Sequence, residues 1–217
     1  MIRLDALPAA QRAVWEEDLP ALPPGFVLYG GTAIALHLGH RQSVDFDFFS
    51  AAPLDRTALR RACPLVAVGK TLQDEPDTLT VVAEKGREPV KLSFFGGIDV
   101  GRVGEPLRIR SRPPVASRID LLGTKLATVT QRIEARDYVD IAALLGSGLT
   151  INEGVAALLA LYGNQASGLQ SVKTIAWFKD GDLEVLLPRE VRETLVRAAA
   201  SYDPHTPPAS RRSAHLD

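Results

Sequence analysis

Seven residues, Phe26-Val27-Leu28-Tyr29-Gly30-Gly31-Thr32, leave few folds open to this chain. The apolar run 26–29 is too short for a helix and reads as a buried strand. Two glycines follow, and then residues 32–38 of helical composition, with Gly39 as the C-terminal stop. A strand that turns sharply into a helix aims free backbone N–H groups and the positive end of the helix at one spot, and glycines let an anion approach the backbone. Thr32 adds a hydroxyl donor. The sequence holds neither G-x-x-x-x-G-K-[ST] nor G-x-G-x-x-G, which argues against P-loop and Rossmann phosphate sites.

Val44-Asp45-Phe46-Asp47-Phe48-Phe49 alternates apolar and acidic residues, the period of a strand with one buried face. Asp45 and Asp47 then share one face, and Phe46 and Phe48 point into the core. Two adjacent carboxylates repel each other, and a bound divalent cation relieves that repulsion. Magnesium takes hard oxygen ligands and keeps water and substrate phosphates in its other positions. Alone, the glycines suit a plain turn and the acidic pair suits a solvent-facing strand. Together they place a phosphate cradle one helix before a metal shelf, the minimum equipment for metal-assisted phosphoryl chemistry. Arg41 and Ser43, just before the acidic pair, offer a cation and a hydroxyl beside a triphosphate. His37 and His40 have no third ligand nearby in sequence and read as structural or solvent-facing.

A third cluster runs from Lys125 to Asp140. Folded as helix, turn and helix, it gathers Lys125, Arg132, Arg136, Asp137 and Asp140 at one end. Lys125 is placed to neutralise phosphate charge, and Asp140 or Asp137 to orient Lys125 or the acceptor. Surface salt bridging on amphipathic helices explains the same residues without any function.

The remaining pattern predicts a helix over 9–19, ended by Leu22-Pro23-Pro24-Gly25, and another over 54–62. Strands are expected at 65–72, 78–83 and 90–95, forming an antiparallel meander added to the first two. Residues 96–116 read as irregular connection. Helices follow at 117–133, with Ser117 and Asp120 as cap residues, and at 136–145, 152–162, 169–177 and 188–201. The expected architecture is α/β (α+β): a mixed sheet flanked by helices over 1–116, a helical region over 117–203, and a frayed tail over 204–217.

Composition narrows the function classes. With 25 Lys+Arg against 26 Asp+Glu, the chain is no simple polybasic nucleic-acid binder. The loose basic stretch Arg102, Arg108, Arg110, Arg112 and Arg118 reads as a solvated loop. One cysteine, Cys63, excludes an intramolecular disulfide and a Cys-based zinc cage. The missing Gly-x-Ser-x-Gly elbow argues against a serine hydrolase. No signal-peptide pattern and no apolar run of about 20 residues is present, so the expectation is a cytoplasmic protein without a membrane partner.

The run from Tyr29 to Phe49, with its Gly30-Gly31-Thr32 and Asp45-Phe46-Asp47, resembles the first motif of the AbiEii-type nucleotidyltransferases, within the DNA polymerase beta-like nucleotidyltransferase superfamily. Lys125, Arg132, Arg136-Asp137 and Asp140 resemble that family's later lysine-and-aspartate motifs. The resemblance covers residues 26–145. It implies a small mixed-sheet nucleotidyltransferase domain followed by helices, and transfer of a nucleotide from an NTP to an acceptor hydroxyl, RNA or tRNA included. It also implies a toxin of a toxin–antitoxin or abortive-infection system, with an antitoxin as protein partner. Carried over by position, Gly30, Gly31 and Thr32 hold phosphates, and Asp45 and Asp47 bind magnesium, with manganese as an alternative. Lys125 contacts the triphosphate, and Asp140, or else Asp137, completes the site. One position departs from the pattern. The superfamily often carries a third carboxylate on a later strand, and Ser93 of Val90-Lys91-Leu92-Ser93-Phe94-Phe95 stands in its place. A neutral hydroxyl is a poor metal ligand and a poor base, so Asp140 is the substitute on offer. The alternative is a catalytically weak or inactive nucleotide- or RNA-binding protein on the same fold.

Overall fold

In the computed structural model, which describes residues 2–181 and 183–216, the alternation along Asp45–Phe49 is expressed as two faces of one strand. Phe46 and Phe48 are fully buried, while Asp45, Asp47 and Phe49 are half-buried on the opposite side. The buried face continues as an aromatic row. Trp15 lies over Phe46 with ring centroids 6.4 Å apart, Phe46 over Phe48 at 6.1 Å, and Phe48 over Phe94 at 5.2 Å.

The chain divides into two units. The first comprises Met1–Gly101, Glu105–Ser117 and Ser213–Asp217. Its elements are α1 (Ala9–Ala13), β1 (Val27–Tyr29), α2 (Gly30–Leu38), β2 (Asp45–Phe49), α3 (Arg56–Ala62), α4 (Pro64–Val68), β3 (Lys70–Glu75), β4 (Thr78–Lys85) and β5 (Glu88–Phe95). The five strands form one mixed sheet in the order β1-β2-β5-β4-β3. The expected meander β3-β4-β5 is antiparallel, and it joins the antiparallel pair β1-β2 through β5, which lies parallel to β2. Asp45 thereby stands opposite Lys91, and Asp47 opposite Ser93. The segment 107–116, expected as irregular, covers the outer edge of β1. Leu28 N donates to Pro114 O at 2.8 Å, and Ala116 N donates to Leu28 O at 2.9 Å.

Two elements differ from the sequence expectation. The helix expected over 9–19 is α-helical only in α1, then widens into a π turn over Val14–Asp18 and tightens to a 3-10 turn over Leu19–Ala21. Pro20 lacks the N–H that an α-helical continuation needs. The run 65–72, expected as a strand, is split. Pro64 occupies the first turn of α4, where proline is favoured, and buries Leu65 and Val66 behind it. The strand β3 starts only at Lys70, and all six of its residues are exposed along the sheet edge.

The second unit comprises Arg102–Gly104 and Arg118–Arg212. It is built from α5 (Arg118–Thr128), α6 (Ala135–Gly146), α7 (Ile151–Tyr162), α8 (Gly168–Ile175), α9 (Leu183–Leu186) and α10 (Arg189–Ala200). Its core holds Leu122, Leu126, Ile141, Leu144, Val155, Leu158, Ile175 and Leu195, all fully buried. Thr150 and Glu153 close a reciprocal capping box at the start of α7. Asp120, expected as a cap for its own helix, instead accepts hydrogen bonds from Val103 N at 2.7 Å and Gly104 N at 3.2 Å. Within the segment 204–217, expected as a frayed tail, Ala209 and Arg211 are hydrogen-bonded to α7. Ala209 N donates to Ala156 O at 2.9 Å, and the Arg211 guanidinium donates to Ala160 O and Leu161 O at 2.5 and 3.1 Å. The last carbonyls of a helix have no partner within it, and Arg211 fills that vacancy.

Candidate active site

The register between β1 and β2 builds the site. Tyr29 is paired with Asp47 across the strands, so the chain leaving Tyr29 must pass over the Asp47 side chain. It does so at Gly30, where φ is +71°, a left-handed conformation that costs an L residue about 1–2 kcal/mol. A Cβ on Gly30 would lie 2.5 Å from Asp47 Oδ2. A side chain there would have to push the Asp47 carboxylate aside, and that carboxylate rests against the glycine. α2 begins at Gly30 itself, two residues earlier than its composition implied. A Cβ on Gly31 would run into the Arg41 guanidinium and come within 3.2 Å of Ser43 Oγ.

Thr32, Ser43 and Asp45 are knit together beneath this corner. The Thr32 hydroxyl donates to the Asp45 carbonyl and lies 2.9 Å from Ser43 Oγ. Thr32 is buried, so its hydroxyl fastens α2 to the entry of β2. Gly30 and Gly31 are half-buried. Asp45 shares its exposed face with Asp47, as expected, and its Oδ2 is 2.9 Å from Lys91 Nζ. Gly30, Gly31, Thr32, Arg41, Ser43, Asp45 and Asp47 thus converge on one corner of the first unit.

The donor set fits magnesium. Two aspartates on one strand face supply hard oxygens, and magnesium is commonly held by one or two carboxylates with substrate phosphates completing its shell. Asp47 reaches the glycine corner where those phosphates would lie, which is the second half of that requirement. Among the described residues no group of three or more His, Cys, Asp or Glu side chains is arranged to hold a metal. Ser93, opposite Asp47, is the reason a third carboxylate is missing from this face.

The third cluster also assembles, within the second unit. Lys125 Nζ lies 2.5 Å from Asp137 Oδ1 and 2.8 Å from Asp140 Oδ2. Arg132 adds Nε to Asp137 Oδ2 at 3.0 Å. Both carboxylates are fully buried, the Lys125 side chain is 8% exposed and that of Arg132 is 49% exposed. Two positive groups on two buried negative ones leave no net charge, the condition under which buried ions are tolerated. Arg136, expected in the same group, pairs with Glu134. His37 has the expected structural role, with Nε2 2.8 Å from Ala116 O. Arg112 donates to Glu16 O, Arg118 to Ser147 O and Arg102 to Gly104 O.

Sequence reasoning passed over two residues. Gln11 is buried, and its Nε2 donates to Val44 O at 3.1 Å, steadying the residue before Asp45. A lone glutamine on an amphipathic helix gives no sign of this. Lys91 did leave a signal, since Lys91-Leu92-Ser93 repeats the spacing of Asp45-Phe46-Asp47 on the neighbouring strand. Among the described residues no single helix is long and apolar enough to cross a membrane.

The model of the nucleotidyl transferase AbiEii toxin family, of type IV toxin–antitoxin systems, matches residues 13–214. The chain is similar to an uncharacterized protein of Aquifex aeolicus strain VF5, 28% identical over 167 residues that make up 74% of this chain and 77% of that protein. In fold it is similar to a Helicobacter pylori crystal structure assigned to a nucleotidyltransferase, at 18% identity and TM-score 0.53, covering 88% of this chain and 89% of that one. It is also similar to MenT4, the nucleotidyltransferase toxin Rv2826c of Mycobacterium tuberculosis H37Rv, at 16% identity and TM-score 0.51, covering 88% and 80%. At these identities the structural likeness establishes the fold.

Proposed function

We propose, for a chain that belongs to the AbiEii family of nucleotidyl transferase toxins, that its glycine corner and acidic strand form an active site moving a nucleotide from an NTP to an acceptor hydroxyl. The observation that carries the reading is the seat of Asp47 against Gly30, which brings a carboxylate to the start of α2. The backbone of Gly30 and Gly31, at the positive end of α2, would take the phosphates, with Arg41 and Ser43 alongside. Asp45 and Asp47 would hold magnesium, or manganese in its place. When bound, such an ion neutralises charge on the triphosphate and polarises the phosphoryl oxygens. Thr32 and Gln11 are positioning residues, fixing the entry of β2 to α2 and α1. In the reaction the acceptor oxygen bonds to the α-phosphorus, the bond from that phosphorus to the pyrophosphate oxygen breaks, and the acceptor proton is released to solvent.

RNA, including tRNA ends, is the acceptor class to try first, and an antitoxin is the protein partner that family membership points to. The test is incubation with α-labelled NTPs, magnesium and total RNA, scoring label in RNA and pyrophosphate released. Asp45→Ala and Asp47→Ala should each lower transfer by at least about 100-fold. Transfer that survives both substitutions sinks the proposal. Ser93 favours a second reading, a binder without turnover, which predicts saturable NTP binding with no pyrophosphate under any acceptor. For Lys125, Asp140 and Asp137, the same assay separates two roles. Substituting a triphosphate contact would raise KM for NTP, whereas substituting a helix-pinning cluster would lower Tm, read by thermal unfolding, and leave KM alone.

A further inference from the structure

The face that carries Asp45 and Asp47 also carries a cation of its own. Parallel pairing sets Lys91 opposite Asp45 and Ser93 opposite Asp47, so four side chains form a two-by-two block. Across the next strand, Val82 stands opposite Lys91 and Thr80 opposite Ser93, both uncharged. The block therefore holds two negative charges and one positive one, and the positive one touches Asp45 at 2.9 Å. A lysine ammonium is a compact point charge, able to neutralise one carboxylate lone pair without supplying a coordinating atom. A face with three carboxylates invites two divalent ions. This one has a net charge nearer that which a single ion satisfies, because a lysine and a hydroxyl occupy the other two corners.

We propose that Lys91 is the built-in counter-cation of this shelf, occupying the side of Asp45 that a second divalent ion would need and limiting the site to one ion per bound nucleotide. The inference rests on the active-site reading above, and assigns Lys91 a positioning role through Asp45. The ammonium holds Asp45 Oδ2 toward β5.

The test counts metal. The full chain is dialysed to equilibrium against Mn2+ and a non-hydrolysable NTP analogue, and both are measured per chain. Wild type should bind one Mn2+ and one analogue, and Asp47→Asn should lose the Mn2+. Lys91→Met, or Lys91→Gln should that variant fold better, removes a like charge beside the ion and should tighten Mn2+ binding by about tenfold or more. Lys91→Arg should keep the wild-type affinity. Lys91→Met combined with Ser93→Asp should bind two Mn2+. Two Mn2+ on wild type, both lost in Asp47→Asn, would overturn the inference and leave the active-site reading standing. So would a Lys91→Met chain whose Mn2+ affinity is unchanged or weaker. No Mn2+ on wild type at saturating analogue would remove the active-site reading, and the inference with it.

Discussion

Gly30→Ala separates the site from the fold more sharply than any acidic substitution. Two costs meet at this position. The first is conformational, since at φ +71° a Cβ is worth about 1–2 kcal/mol of strain. In a chain of this size that lowers Tm by about 2–8 °C. The second is steric and local. The new methyl starts 2.5 Å from Asp47 Oδ2, and contacts of a real Cβ essentially never fall below 3.0 Å, so the carboxylate must withdraw by about 0.5 Å or more. A misplacement of about 1 Å in a reacting geometry can cost 100-fold in rate, so a loss of about 10- to 100-fold in kcat/KM is expected. Gly31→Ala is the control. Gly31 lies inside α2 without a left-handed backbone, and its methyl meets the end of the Arg41 side chain and, at 3.2 Å, the buried Ser43 hydroxyl. Alanine carries no backbone strain there, so it should cost less stability than Gly30→Ala, and it should weaken NTP affinity by displacing Arg41. Thermal unfolding by circular dichroism, calorimetric NTP binding and labelled transfer read the three quantities separately. Equal activity in wild type and Gly30→Ala would refute the reasoning, as would equal losses of stability in both variants.

Lys125→Met removes the ammonium that bridges the fully buried carboxylates of Asp137 and Asp140. Removing one partner of a buried ion cluster costs about 3–5 kcal/mol, so Tm should fall by about 6–20 °C, and added salt should not mimic the effect; a drop under about 3 °C would show that the cluster does not pin α5 to α6. Burial pushes the Tyr162 hydroxyl up to about 12 from 10.0. The folded state therefore keeps a proton that the unfolded chain releases, and stability is full below pH 10 and falls as pH rises toward 12. By pH 11 the loss should be about 1.4 kcal/mol, and Tyr162→Phe should flatten that part of a urea-denaturation pH profile.

The short-range grammar of the site was readable in advance because each piece is local. Tyr29-Gly30-Gly31 needs only its own backbone to mark a strand turning into a helix, and Asp45 to Phe49 needs only alternation. What was hidden lay in pairings between distant segments. Nothing in residues 90–95 announces that they run beside β2 and parallel to it, since that choice depends on how 50–87 cross over between them. The ion pair of Lys91 with Asp45 was hidden for the same reason. Residues 65–68 misled because a short apolar run suits a strand or a buried helix turn equally, and the deciding element was Pro64. Residues 204–217 misled because proline content reports on missing N–H groups and says nothing of the free carbonyls of α7 that Arg211 fills. The depth of the Lys125 cluster was illegible as well. Spacing gathers charges at a helix end without saying whether water reaches them.

Shifting β2 by a single residue against its neighbours would drive two acids into oil and hang two phenyl rings in water. The penalty for error and the reward for success thus fall on the same five residues. A molecule that has closed its interior has, by that act, already deployed its acids, and no harmless but fully folded slipped form lies along the way. On the active-site reading, folding and the display of Asp45 and Asp47 are therefore one event, fixed by the same alternation.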